Sequence, residues 1–197
     1  DDTFFEHKGF NYQATWDAFL HDVQKGRFAR GGSTITQQMI KNVLLSREKT
    51  VGRKVREYFL ARRAEAVLTK RQIMEIYLNE VEWGEGLHGI EAASRHYFDK
   101  HTNELSLGEA ALLAGMLPNP RYFDPFKRME KARDRQERVL SNMLQAKVIT
   151  ADEFEAADAL VRAYEPWQRA MRARGVAPEH TYLDGWAAGE TPLPDDV

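Results

Sequence analysis

The sequence contains no cysteine. Disulfides, thiolate nucleophiles and cysteine zinc sites are therefore excluded, although either redox compartment would suit such a chain. It lacks any run of eighteen apolar residues, so no segment reads as a transmembrane helix, and no stretch reads as a signal peptide. Charge of one sign is missing too: 28 Lys and Arg stand against 30 Asp and Glu, a formal net charge of −2. No global cationic field is available to recruit nucleic acid. Proline is scarce, seven residues in all and none before Pro118. Strand-like alternation and internal repeats are absent.

What remains is a chain of 197 residues with 43% hydrophobic and 29% charged content, ordinary values for a globular protein. The length suits one medium domain or one domain in two lobes. Apolar residues recur at helical spacing, so the fold class is mainly α. Tyr12, Trp16, Phe19, Leu20 and Val23 mark one helix, and Lys25 to Gly32 reads as a basic, glycine-containing loop. A second helix starts near Ser33 or Thr34, because Thr34 with Gln37 fits the capping-box pattern. Its apolar row would be Ile35, Met39 and Val43, with Thr34, Gln38 and Lys41 on another face. Further helices are expected over about 51–68, 71–81, 90–97, 106–116, 128–146 and 151–164. Ile73, Ile76, Tyr77 and Val81 should face inward in the second of these. Trp83 to Gly89 holds three glycines and reads as a turn-rich loop. Pro118, Pro120 and Pro125 predict an irregular segment.

Four clusters could carry chemistry. The first runs from Arg30 through Gly31, Gly32, Ser33, Thr34, Gln37 and Gln38 to Lys41 and Asn42. Glycines just before a helix start let backbone N–H groups approach an anion, and the helix dipole favours negative charge there. Lys41 adds a cation, so a phosphate or pyrophosphate would fit. An ordinary glycine loop with an N-cap would look the same, and Gly-Lys-Ser/Thr, the mark of a P-loop, is absent. The second is Arg53-Lys54-Val55-Arg56-Glu57, in which Arg53 and Glu57 share a helix face. That carboxylate could orient a phosphate, bind a metal, act as an acid, or simply lie on a solvated charged surface. The third, Asp1, Asp2, Glu6 and His7, suits acid/base work on sugars or a polar chain end. The fourth joins Tyr77-Leu78-Asn79-Glu80 to the glycine-rich stretch from Trp83 to Ala93, a composition that suits a sugar cleft. His88, His96 and His101 lack the spacing of metal ligands and read as core or surface residues.

Taken in order, these segments resemble the family-51 glycosyltransferases, the transglycosylase domains of class A penicillin-binding proteins and the monofunctional peptidoglycan transglycosylases. The family pattern Glu-Asp-x-x-Phe-x-x-His-x-Gly is similar to Asp1 through Gly9, without its leading Glu. The pattern Gly-Gly-Ser-Thr-Ile-Thr-Gln-Gln-x-x-Lys-Asn is complete from Gly31 to Asn42. Arg-Lys-x-x-Glu is matched by Arg53, Lys54 and Glu57, and Ile-x-Glu-x-Tyr-Leu-Asn by Ile73 through Asn79. A fifth pattern, ending in Pro, is matched from Ala111 to Pro120. The likeness extends over about Asp1 to Ile149. The run Gly89 to Phe98 looks closest to the monofunctional branch.

The resemblance implies a two-lobed fold, with a larger lysozyme-like lobe and a small membrane-facing lobe over about residues 10–30. A glycosyltransferase domain would span 1–164, followed by a tail, 165–197, of unassigned role. It implies polymerisation of lipid II into glycan strands with inversion at the donor and release of undecaprenyl pyrophosphate. The partners implied are lipid II, a lipid-linked glycan strand, the membrane surface and cell wall synthesis proteins, with no nucleic acid. Glu57 would be the family's second essential carboxylate. Ser33, Thr34, Gln37, Gln38, Lys41, Asn42, Lys49, Arg53 and Asn79 would bind substrate. Lys49 stands where the family carries Arg, so a planar fork is replaced by a point charge. The general base would precede Asp1, and a transmembrane anchor is expected upstream, with the domain at the outer, periplasmic face of the cytoplasmic membrane. No cofactor is required, though a divalent cation, Mg or Mn, can accompany the pyrophosphate. A non-catalytic lipid-pyrophosphate or glycan scaffold and a lysozyme-like hydrolase are the competing expectations.

Overall fold

A computed structural model of the chain describes residues 1, 3–10, 33–45 and 50–159. The expected helix at 12–23, the basic loop at 25–32, nearly all of the lobe expected at 10–30, Lys49 and the tail at 165–197 lie outside the described residues. The described part is mainly helical. It divides into two compact units, Asp1–Val81 and Glu82–Val197.

Among its described residues the first unit holds three helices, α1 (Ile35–Leu44), α2 (Val51–Val67) and α3 (Lys70–Glu80). Thr34 caps α1 with the expected box, its hydroxyl accepting from the Gln37 N–H while the Gln37 side chain accepts from the Thr34 N–H. Thr50 caps α2, and Thr69 with Gln72 builds a second box at α3. Each box satisfies two N–H groups that the first helical turn leaves without partners. Helix α1 packs on both α2 and α3. Met39, Ile40, Ala61, Ala64, Ile73, Tyr77 and Val81 supply the core, joined by Phe4. Of the inward set expected for α3, Ile73, Tyr77 and Val81 are buried and Ile76 is half-buried, whereas the inward set of α1 is rotated. Thr36, Gln37, Met39 and Ile40 are buried, whereas Val43 is 44% exposed. Capping and packing of polar residues at 36 and 37 turn the helix away from the purely apolar row.

The second unit opens on a feature too short for alternation to reveal. Strands β1 (Glu82–Gly84) and β2 (Leu87–His88) pair antiparallel across a Glu85-Gly86 turn. Gly86 takes φ +72, which suits glycine. Helix α4 (Ile90–Phe98) and a 3-10 turn (Thr102–Glu104) follow, then α5 (Leu107–Met116) and α6 (Pro125–Gln145). Residues 151–159 are helical as well. Helix α6 begins three residues before the expected start. Pro125 sits at its first position, where no N–H is needed, and Asp124 caps it; the backbone kinks at Arg128. The proline therefore initiates this helix rather than interrupting the chain.

Helix α5 packs closely on α6 and on the helical segment 151–159 because it presents small residues. A Cβ on Gly108 would stand 2.6 Å from the Ala157 carbonyl oxygen, and one on Gly115 3.0 Å from the Arg135 backbone. Ala111, Leu140, Ile149 and Ala157 form the apolar cluster between these segments. Buried Gln136 donates to the carbonyls of Gly108 and Ala157, at 3.4 and 3.3 Å.

Candidate active site

Of the residues singled out in the sequence, Ser33, Lys41, Arg53 and Glu57 come together in the first unit. The cap at Thr34 fixes where α1 begins, and α2 runs beside it. On α2, Arg53 and Glu57 face the same way, one turn apart, and the Arg53 Nη1 donates to Glu57 Oε2 at 3.0 Å. Lys54 reaches the other carboxylate oxygen and also donates to the Ser33 hydroxyl at 3.0 Å. Glu57 is 2% exposed. It is not part of a solvated charged face.

Lys41 of α1 adds a third cation. Its side chain as a whole is exposed, yet partial burial lowers its pKa below the ordinary lysine value. The Arg53 and Lys54 charges push in the same direction and the Glu57 carboxylate opposes them. Arg53 and Lys54 thus grip one carboxylate, Lys41 feels its charge, and the three cations leave a local excess of positive charge. The buried Nε of Arg53 has no partner among the described residues. A buried N–H left without a partner is costly, so this donor favours a bound acceptor. Both oxygens of Glu57 are occupied by cationic N–H groups. That leaves it poorly placed to ligate a metal, and no cluster of three or more metal-type side chains occurs among the described residues.

Other expected site residues divide into two groups. Ser33 and Gln38 lie at the cluster's edge: the Gln38 amide donates to the Ser33 carbonyl, and its Oε1 accepts from the Tyr77 hydroxyl at 3.4 Å. Burial pushes the Tyr77 hydroxyl up to about 12. Asn42 is exposed at the end of α1. Thr34 and Gln37 are buried; the Thr34 hydroxyl donates to the Gly9 carbonyl, and the Gln37 Oε1 accepts from the Thr34 N–H within the cap. The Asn79 amide donates to the Glu75 carbonyl of its own helix, 2.9 Å away. Lys54, part of the Arg53–Glu57 cluster in the sequence, was not among the residues expected to bind substrate. Its contact with Ser33 bridges 21 positions, and no local pattern announces it.

The acidic opening segment has a structural task. Asp1 Oδ2 accepts from the Ile35 N–H at the start of α1, at 2.8 Å, where negative charge is favoured. Its other oxygen meets His7 Nε2 at 2.9 Å. Gly9 holds φ +85, and a Cβ there would come within 3.1 Å of the Glu65 side chain. Glu65 in turn accepts from the buried Thr36 hydroxyl and from Lys70, whose ammonium lies 4.4 Å from the centre of the Phe4 ring. Segment 3–10 is therefore clamped against α1 and α2 beside the cationic cluster.

Residues 1–144 match the model of the family described as Transglycosylase. Over 124 residues the chain is 48% identical to the biosynthetic peptidoglycan transglycosylase of Laribacter hongkongensis, covering 63% of this chain and 54% of that protein. It is 44% identical to penicillin-binding protein 1A of Aquifex aeolicus over 157 residues, 80% of this chain and 22% of that protein. The crystal structure of penicillin-binding protein 1A from Haemophilus influenzae aligns at 30% identity with a TM-score of 0.43, over 62% of this chain and 15% of its own. The chain thus spans about half the length of the Laribacter relative and about a fifth of the Aquifex one.

Proposed function

The chain belongs to the transglycosylase family, and from that membership we propose that it forms the glycosyltransferase part of a peptidoglycan-polymerising enzyme. The observation that carries this reading is the cationic cluster, with Glu57 fixed between Arg53 and Lys54 and Lys41 beside them. Such a cluster suits a pyrophosphate leaving group. In the proposed reaction the 4-hydroxyl of one lipid-linked disaccharide attacks the anomeric carbon of a lipid-linked strand. The bond from that carbon to the pyrophosphate oxygen breaks, the new glycosidic bond forms with inversion, and a carboxylate base takes the hydroxyl's proton. Negative charge grows on the pyrophosphate as it leaves. Cations preset in a partly desolvated site stabilise that charge without reorganising.

In this reading Lys41, Arg53 and Lys54 hold the pyrophosphate. Glu57 keeps the two α2 cations at fixed spacing, as a positioning residue. Ser33, Gln38 and Asn42 offer uncharged hydrogen bonds at the rim. With three cations in place no divalent ion is required, and Mg or Mn, where bound, accompanies the pyrophosphate. Because the donor and acceptor carry lipid, the reaction belongs at the outer face of the bacterial cytoplasmic membrane. Val43, Leu44, Val55 and Phe59 are exposed apolar residues in the first unit, and a lipid surface would cover such residues.

The test is incubation of the protein with lipid II. Glycan polymer accompanied by undecaprenyl pyrophosphate supports the proposal. Binding without turnover would assign a scaffold instead, and new reducing ends from preformed glycan would assign a hydrolase.

A further inference from the structure

A cavity of about 430 Å³ lies wholly within the second unit. Its walls come from the hairpin, from α4 and from the start of α6. The volume falls within the range of about 300–1,000 Å³ found for small-molecule sites. The hairpin wall is braced: Arg121 donates to Glu82 through Nε and Nη2 at 3.0 and 2.8 Å, and lies 3.5 Å from Glu85. The Tyr97 hydroxyl donates to the Trp83 carbonyl. A Cβ on Gly84 would stand 2.9 Å from that hydroxyl, so glycine is what lets strand and ring meet.

The lining suits one ligand class better than others. The exposed His96 ring stands against Phe126, which packs in turn on Tyr97, with centroids 5.5 and 5.3 Å apart; the two buried rings back His96, which is the aromatic wall. Asp124 Oδ1 accepts from the Phe126 N–H at 2.9 Å, whereas among the described residues Oδ2 has only a long 3.4 Å approach from Lys127. That oxygen keeps acceptor capacity. The ring nitrogens of His96 make no hydrogen bond among the described residues. Glu85 and Asp124 oppose Lys127, so the lining has no excess of positive charge to select an anion. The first N–H groups of α6 are already taken by Asp124, which closes its N-terminus to phosphate. A wholly apolar ligand would leave the Asp124 carboxylate desolvated and unsatisfied. A neutral ring with hydroxyls on its edge and C–H groups on its face satisfies both walls.

We propose that this cavity is a saccharide-binding site for a neutral pyranose unit, separate from the cationic cluster. Hydroxyls of the sugar donate to Asp124 Oδ2 and exchange hydrogen bonds with Lys127, while its C–H face lies on the exposed His96 ring, which buried Phe126 backs. Only the identity of the natural glycan, a peptidoglycan strand, rests on the proposed function.

The experiment titrates the 197-residue chain with a soluble β-1,4-linked N-acetylglucosamine tetramer and follows amide resonances by NMR. Inorganic pyrophosphate serves as the second probe. Sugar should shift resonances of the 84–88 hairpin and the first turn of α6 with a Kd on the order of 1 mM, and pyrophosphate should shift those of α1 and α2. The double variant His96→Ala, Lys127→Ala changes two exposed residues and should weaken sugar binding about tenfold with pyrophosphate shifts unchanged. Asp124→Asn, which keeps the shape of the cap, should weaken it as well. No sugar-dependent shift in the hairpin, or a double variant that titrates like the parent, would overturn the proposal. Sugar binding without polymerisation leaves it standing and removes the glycosyltransferase reading; polymerisation without sugar binding does the reverse.

Discussion

Replacing Glu57 by glutamine keeps the volume of the side chain and removes one negative charge from between Arg53 and Lys54. In the parent both carboxylate oxygens accept from cations. An amide offers one acceptor, and its NH2 must then face a cation that can only donate. One contact is lost outright and the other falls from a charge-assisted to a neutral-acceptor bond, roughly half as strong. Hydrogen bonds to charged groups contribute about 1.5–3 kcal/mol each. The Lys54 partner is half exposed and is discounted for solvent screening. The expected loss is then about 2–3 kcal/mol, most of it from Arg53. In a protein of this size each kcal/mol moves the unfolding midpoint by about 2–4 °C, so Tm should fall by about 4–12 °C. The excess charge of the cluster grows at the same time, so calorimetry should find inorganic pyrophosphate binding kept within about tenfold, a span of about 1.4 kcal/mol. Polymerisation should disappear, because the cations lose their fixed spacing. An unchanged midpoint together with normal polymerisation would refute both the structural and the functional role given to Glu57.

Three further outcomes follow from particular contacts. Gly108→Ala forces a Cβ to within 2.6 Å of the Ala157 carbonyl; backbone cannot swing aside, so the substitution should cost about 1–3 kcal/mol by denaturant unfolding, and a neutral result would contradict the close approach of α5. Glu65→Ala strands the buried Thr36 hydroxyl and the Lys70 ammonium, which should cost about 2–4 kcal/mol and speed amide exchange over residues 3–10; exchange as slow as in the parent would contradict the clamp. Lys41 has a pKa lowered by burial and by Arg53 and Lys54. Its charge, and pyrophosphate affinity with it, is present at lower pH and is lost as pH rises through that lowered pKa, below the usual lysine range. Affinity measured against pH should show this alkaline limb, and Lys41→Met should remove it.

The helices were legible because their signals are local. Thr34 with Gln37, and the inward spacing of Ile73, Tyr77 and Val81, each lie within a turn or two of chain, and the structure has both. Strands of three and two residues offer no alternation to read, so the hairpin at 82–88 was hidden. Pro125 has the same sequence signature whether it breaks a helix or begins one, and only the Asp124 cap decides. The Arg53–Glu57 pair could be placed on one helix face from spacing alone, but not inside the protein, because its burial depends on distant chain. The Ser33–Lys54 and Thr36–Glu65 contacts span 21 and 29 positions, beyond the reach of periodicity. Asp1 and His7 were open to a catalytic or a structural role, and the contact of Asp1 with the start of α1 supplies the structural one.

The most direct test of the central claim follows both products of the reaction at once, with lipid II carrying a radiolabel in its sugar. The protein is predicted to convert lipid II into long glycan with stoichiometric release of undecaprenyl pyrophosphate, and Arg53→Ala to abolish both. Free reducing disaccharide instead of polymer, or unimpaired polymer formation by Arg53→Ala, would contradict the account.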